Sequence, residues 1–170
     1  MLIEQDMERT TLEDWISRYQ PLIFRAAYLI LRDADAAADV AQETFVRAWT
    51  ATRKATGDGV RPWLYRIAVN TALNDRRRRG RESAAIVRLD TAPSIADPTA
   101  SSDTASVVGE AIDRLPERLR VTIICRYFLD LPENEISKVL RVRPGTVKSR
   151  LHEARRLLAG DESLAVAIGR

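Results

Sequence analysis

Cysteine is almost missing from this chain: Cys125 is the only one among 170 residues, which excludes an internal disulfide and suits a reducing compartment. Histidine is equally scarce, with His152 alone, so the sequence offers no His/Cys array with metal-ligand spacing. His152 lies in a basic stretch and Cys125 in the apolar run VTIICRYFL, so they suggest no base–nucleophile pair, and Cys125 reads as a small core residue. There is no Gly-rich phosphate-cradling loop either. An enzyme is therefore not expected, and neither a metal nor another cofactor is expected.

Aromatic residues make up only 6%, and Gly and Pro number seven each, which gives β-rich classes little support. The longest apolar stretch near the N-terminus, Ala26 to Leu31, is far too short to span a bilayer. Acidic residues precede it, so it also lacks the basic start of a secretory signal. The expectation is a cytoplasmic protein without membrane insertion.

What is present is a globular balance of 45% hydrophobic and 30% charged residues, with long Ala/Leu/Arg/Glu stretches that favour helix. The net charge of +3 is small, but it is unevenly spread. Arg61 to Glu82 carries seven basic and two acidic residues, and Lys138 to Arg156 seven and one. Ser83 to Glu135 between them carries five basic and nine acidic. Two basic patches divided by an acidic segment suggest two contacts on a polyanion; the plainer reading is two solvated helix faces.

The segment DTAPSIADPTASSDTAS, residues 90 to 106, has no apolar period and cannot bury a face, so it reads as a linker. The predicted fold class is all-α: two small helical domains joined by a flexible linker, the C-terminal one a helix-turn-helix. The boundaries are residues 10–86, a linker over 87–106, and residues 107–160. In the first unit, a helix over Leu12 to Leu31 carries Trp15, Ile16, Tyr19, Ile23 and Ala27 at core spacing. Asp33 can cap a second helix from Ala34 to about Thr52, with Ala38, Ala41, Phe45 and Ala48 inward. A third helix is predicted from Pro62, suited to a first helical position, to about Arg79. Its inner stripe is Leu64, Ile67, Ala68 and Thr71, and its opposite face Trp63, Arg66, Asn70, Asn74 and Arg77.

The C-terminal unit holds an apolar helix over Val121 to Leu129, a short helix from Glu133 to Leu140, a turn over Arg141 to Pro144, and a last helix from Gly145 to about Leu158. Val147, Leu151, Ala154 and Leu158 form an inward stripe on it. Ile136, Val139 and Leu140 are placed to pack the short helix on Val147 and Leu151. Two helices joined by a tight turn, the second basic, make a helix-turn-helix; alone, the pattern also fits a structural three-helix bundle.

At this point a resemblance becomes specific. LPERLRVTIICRYFLDLPENEISKVLRVRPGTVKSRLHEARRLL resembles the promoter-reading C-terminal domain of bacterial sigma factors of the extracytoplasmic-function group. DADAAADVAQETFVRAW resembles their polymerase-binding helix, and RPWLYRIAVNTALNDRRRR their minus-ten-reading helix. The three blocks stand in the family's order over most of residues 15 to 158, with only the linker between the units.

The resemblance implies a transcription initiation factor that binds core RNA polymerase and promoter DNA, both duplex and melted, and that an anti-sigma factor holds in check. It implies that Asp39, Gln42, Glu43, Val46 and Arg47 face core polymerase; read without it, they form a solvated helix face beside a short apolar surface, Val46 and Trp49. It assigns Arg61, Trp63, Tyr65, Arg66, Asn70, Asn74 and Arg77 to the minus-ten strand. Trp63 and Tyr65 would stack or wedge, although either could equally be a core aromatic. Arg66 and the Arg76 to Arg79 run would hold phosphates, and the loop Arg53 to Arg61 would pocket a flipped base.

For the minus-thirty-five element the implied residues are Arg143, Thr146, Lys148, Ser149, Arg150, His152, Glu153, Arg155 and Arg156. Thr146 stands where free helix N–H groups favour a phosphate, and Arg155 and Arg156 position the helix without reading bases. Two departures stand out. Glu153 lies where many relatives carry a basic residue, which would either weaken phosphate attraction or let a carboxylate accept from a cytosine amine. Arg141 occupies a turn position where Gly is common and a left-handed backbone is called for, at a cost of about 1 kcal/mol. The competing class is a repressor or activator that uses the helix-turn-helix on duplex DNA without polymerase; the second basic helix, with Trp63 and Tyr65, argues against it. The tail from Gly160 to Arg170 is either a frayed end or an extra contact.

Overall fold

The computed structural model describes residues 2–51, 59–85 and 103–167, with side chains at 12–51, 59–81 and 107–164. These residues form eight helices: α1 (Leu2–Leu31), α2 (Ala34–Thr50), α3 (Val60–Ala85), α4 (Asp103–Asp113), α5 (Glu117–Tyr127), α6 (Glu133–Leu140), α7 (Pro144–Ala159) and α8 (Glu162–Ala167). Among the described residues there is no strand, and no helix is long and apolar enough to cross a membrane. The all-helical expectation therefore holds over the described residues.

The N-terminal helices α1, α2 and α3 pack as a three-helix bundle. A two-residue corner joins the first two: Arg32 takes a left-handed backbone, φ 57°, and its N–H donates to the Tyr28 carbonyl at 2.7 Å. Asp33 then caps α2, its carboxylate accepting from the Ala36 N–H at 2.9 Å, the expected cap geometry. Ala37, Val40, Ala41, Thr44, Phe45 and Ala48 are buried on α2. Ala38 was expected inward but is exposed, because the buried stripe runs one residue earlier, through Ala37. On α3 the buried stripe is Leu64, Tyr65, Ala68, Val69 and Ala72. The predicted Ile67 and Thr71 lie only at its border, since Tyr65 and Val69 take the central positions.

The C-terminal unit is built around α5. Every residue from Leu119 to Cys125 on it is buried, as befits a helix enclosed on all sides. Two of these residues are polar. Thr122 satisfies its hydroxyl on the Arg118 carbonyl at 2.7 Å. Arg120 donates to the carbonyls of Asp113 and Leu115 at the end of α4 and pairs with the Asp113 carboxylate at 2.7 Å. Helix α6 has the predicted bounds. Arg141 does adopt the left-handed conformation, φ 53° and ψ 45°, and the Val142 N–H closes the turn on the Ser137 carbonyl at 3.0 Å.

One element departs from expectation. Helix α4 begins at Asp103, inside the stretch read as linker, because Ala111 and Ile112 near its end are buried against the core; residues 86–102 lie outside the described residues. The tail forms α8, held by a bidentate pair between Arg114 and Asp161, 2.8–3.1 Å. The two units are in contact. Helix α1 touches α4 and α5, α3 touches α6, and the buried residues form one continuous cluster. This explains why the five consecutive residues from Ala26 to Ile30 on α1 are at most 2% exposed: they are covered from several sides.

Candidate polymerase and nucleic-acid interfaces

Helix α2 turns its inner stripe to the bundle and leaves Asp39, Gln42, Val46, Arg47 and Trp49 outward. Val46 is 52% exposed and Trp49 37%, a large apolar surface to leave open to water. Glu43 and Arg47 form an i,i+4 ion pair at 2.6 Å, and Arg47 also reaches Thr71 of α3 at 3.5 Å. The apolar side chains line an open groove of about 860 Å³ between α1 and α2, with Leu12, Ile16 and Phe24 on one wall and Phe45, Val46 and Trp49 on the other. The α1 wall was missed from sequence. Its signal is the apolar spacing of Leu12, Ile16 and Phe24, four and eight residues apart, of which Ile16 alone was counted, and then with the core stripe.

On α3 the predicted minus-ten residues divide. Tyr65 is 1% exposed and packs edge-on against Tyr19, ring centroids 6.0 Å apart; burial raises its hydroxyl pKa. A tyrosine so enclosed has no face to offer a base, which corrects its assignment to stacking. Trp63 is half-buried, edge-on to Trp15 at 6.3 Å, and keeps part of its ring at the surface. Asn70 donates its amide to the Arg66 carbonyl at 2.7 Å, while Asn74 and Arg77 are exposed.

The arginine run is not a uniform phosphate rail. Arg76 donates to the Ile30 carbonyl at the end of α1. Arg79 reaches Asp33 and Asp75, each at 2.6 Å. Asp33 is thereby held below its ordinary pKa, first by the Ala36 N–H and then by Arg79. Arg76 and Arg79 thus fasten the α1–α2 corner, whereas Arg77 and Arg78 keep side chains about 60% exposed. Arg61 is engaged as well, donating to the carbonyls of Leu129 and Asp130 at 3.0 and 2.6 Å. Of the preceding loop, residues 52–58 lie outside the described residues; Gly59 enters α3 at φ 79°, a backbone that favours glycine.

Helix α7 buries Val147, Leu151 and Ala154 and exposes Lys148, Ser149, His152, Arg155 and Arg156 on the other side. Arg143 precedes it in extended backbone, and Pro144 opens it. Thr146 and Arg150 are half-exposed at the flanks. Glu153 faces inward enough to meet Arg118 of α5 at 3.6 Å, so its carboxylate has an intramolecular partner. Arg155 accepts a second role, donating to the Tyr127 hydroxyl at 3.0 Å. The outward face is basic, contiguous and of the right size to enter a major groove.

Comparison with known proteins agrees with this layout. Residues 15–82 match the family model for Sigma-70 region 2, and residues 106–158 the model for Sigma-70, region 4. The chain is 35% identical to the RNA polymerase sigma-H factor of Pseudomonas aeruginosa, over 82% of this chain and 80% of that protein. It is 32% identical to the ECF RNA polymerase sigma factor SigM of Mycobacterium tuberculosis, over 89% and 77%, and 28% to SigW of Bacillus subtilis, over 85% of each. Among solved structures it resembles sigma factor RpoE bound to anti-sigma factor NepR from Bartonella quintana, TM-score 0.74, 22% identity, 92% and 96% covered. It also resembles CnrH in complex with the cytosolic domain of CnrY, TM-score 0.66, 23% identity, 89% and 86% covered.

Proposed function

Since the chain belongs to the sigma-70 family, in its extracytoplasmic-function group, we propose that it serves as an alternative sigma factor whose separate surfaces divide the work of promoter recognition. The observation that carries this is the presence, in order, of both family regions in one chain, each with a polar or basic face turned away from the core. Polymerase performs the chemistry; this chain supplies binding and position.

In this reading Asp39, Gln42, Glu43, Val46 and Arg47 dock on core polymerase, and the adjoining groove receives apolar side chains from it. Trp63, Arg66, Asn70, Asn74 and Arg77 hold the opened minus-ten strand, the tryptophan by stacking and the arginines by phosphate contact. Tyr65 supports them from below by fixing α3 on α1. Arg61 joins the set only when released from the carbonyls it now holds. On α7, Lys148, Ser149, Arg150 and His152 approach base edges of the minus-thirty-five duplex. Arg143, Thr146, Arg155 and Arg156 hold its backbone. Glu153 acts through Arg118 rather than directly on a base.

The proposed setting is the cytoplasm, where polymerase works, under the control of an anti-sigma factor. Both solved relatives named above are complexes, one with an anti-sigma factor and one with a cytosolic domain, which supports that partner. A repressor acting without polymerase is disfavoured, because it leaves the region 2 match unexplained.

The test is run-off transcription sequencing with core polymerase and fragmented host DNA, with and without the protein. New start sites that share a two-part upstream motif are expected. No new starts with an active core and a folded protein would overturn the proposal.

A further inference from the structure

Helix α5 is enclosed from Leu119 to Cys125, yet its last residue, Tyr127, is 56% exposed. The ring lines an apolar groove together with Ile123, Phe128 and Leu158, which gives it a firm backing. Its hydroxyl reaches α7 and accepts from Arg155 Nε at 3.0 Å. None of the surfaces assigned above includes Tyr127.

This hydrogen bond leaves donors unused on both partners. The tyrosine oxygen accepts, so its own O–H remains to donate. A guanidinium carries five N–H donors, and with Nε engaged the four on Nη1 and Nη2 remain. The bond also restrains a long side chain that would otherwise have to be ordered when a ligand binds. A tetrahedral anion with several acceptor oxygens suits a hydroxyl and a planar guanidinium held side by side.

Placement identifies the anion. Lys148, His152 and Arg155 recur at i, i+4 and i+7, so they share one exposed stripe of α7. Seven residues at a rise of about 1.5 Å put Arg155 about 10 Å along the axis from Lys148, close to the width of about 12 Å of a major groove. A helix that enters the groove by its N-terminal half therefore brings Arg155 to the rim, where phosphates stand. Glu153 is the only acidic residue of α7, and it turns to the opposite flank, towards Arg118 at 3.6 Å, so no carboxylate of the helix opposes an anion beside Arg155.

We propose that Tyr127 and Arg155 form a clamp for one backbone phosphate at the edge of the minus-thirty-five duplex. Tyr127 aims the arginine and adds a donor of its own. The clamp rests on the assignment of α7 to that duplex.

The experiment follows the fluorescence anisotropy of a fluorescein-labelled random-sequence duplex of about 20 base pairs, titrated with the full chain between about 50 and 200 mM salt; a phosphate contact is independent of sequence, so the random pool is an adequate probe. Tyr127→Phe keeps the ring and removes the hydroxyl alone. Its melting temperature should stay within about 2 °C of wild type, while its duplex binding weakens about two- to tenfold. Arg155→Ala should reduce the slope of log K against log salt by about one. In the Arg155→Ala background, most of the loss caused by Tyr127→Phe should disappear, because the two groups act as a unit. A folded Tyr127→Phe protein that binds like wild type, while Arg156→Ala binds more weakly, overturns the clamp and leaves the assignment of α7 standing. Fold-losses of Tyr127→Phe and Arg155→Ala that simply multiply in the double variant overturn the clamp as well. If Tyr127→Phe, Arg155→Ala and Arg156→Ala all bind like wild type, the duplex assignment of α7 falls and the clamp falls with it.

Discussion

Replacing Asp33 tests how the corner between α1 and α2 is held. Its carboxylate accepts from the Ala36 N–H at 2.9 Å and from Arg79 at 2.6 Å, so one side chain both caps α2 and ties α3 to it. Loss of a good N-cap costs about 1 kcal/mol, within a range of 0.5–2. The Arg79 pair, with side-chain exposures of 43% and 39%, adds about 0.2–1 kcal/mol after solvent screening. Asp33→Ala should therefore destabilise the protein by about 1–3 kcal/mol. Asp33→Asn keeps a competent cap and loses only the charge, so it should cost about 0.2–1 kcal/mol. The acid dependence follows from the lowered pKa. The contribution is fully present above the ordinary value of 3.8 and is lost as pH falls through the lower folded value. Urea titrations followed by circular dichroism at pH 7 should rank wild type above Asp33→Asn and Asp33→Ala last, with the gap to wild type narrowing below about pH 4. An Asp33→Asn protein as unstable as Asp33→Ala would refute the division between cap and ion pair. An Asp33→Ala protein superimposable on wild type would refute both.

Other predictions concern the three proposed surfaces. Val46→Glu should leave the melting transition within about 0.5 kcal/mol of wild type while weakening core polymerase binding at least tenfold; unchanged co-elution with core would count against the α2 face. Trp63→Ala should weaken capture of a melted minus-ten strand by about 1–3 kcal/mol, whereas Tyr65→Phe should leave it untouched; a strand-binding defect in Tyr65→Phe would mean that the hydroxyl reaches DNA after all. Arg156→Ala should weaken duplex binding across sequences alike and reduce the slope of log K against log salt by about one. A selective loss at one base position would instead make Arg156 a reader.

Much of the architecture was legible in the residues because it depends on local chemistry. The cap at Asp33, the bounds of α6 and the left-handed turn at Arg141 each follow from a few neighbouring residues. Helix α4 was not legible: its apolar positions pack only once α5 and the end of α1 are in place, and its sequence begins like the linker before it. Tyr65 shows the same limit at the site. Spacing alone allowed it to be a surface aromatic or a core one, and the edge-on contact with Tyr19, 46 residues away, puts it in the core.

The sequence by itself determined the all-helical class, the two units, the family and the basic face of α7, because helix periodicity, capping and charge placement are written within a few turns of chain. Only the tertiary structure decided which arginines of α3 fasten the corner between α1 and α2. Arg76 and Arg79 look equivalent to Arg77 and Arg78 along the chain. The carbonyl of Ile30 and the carboxylate of Asp33, brought together by the corner at residues 32–33, claim the first two and leave the others at the surface. Packing between distant segments sets that distinction, since a buried polar end of a helix demands a donor wherever the fold can bring one.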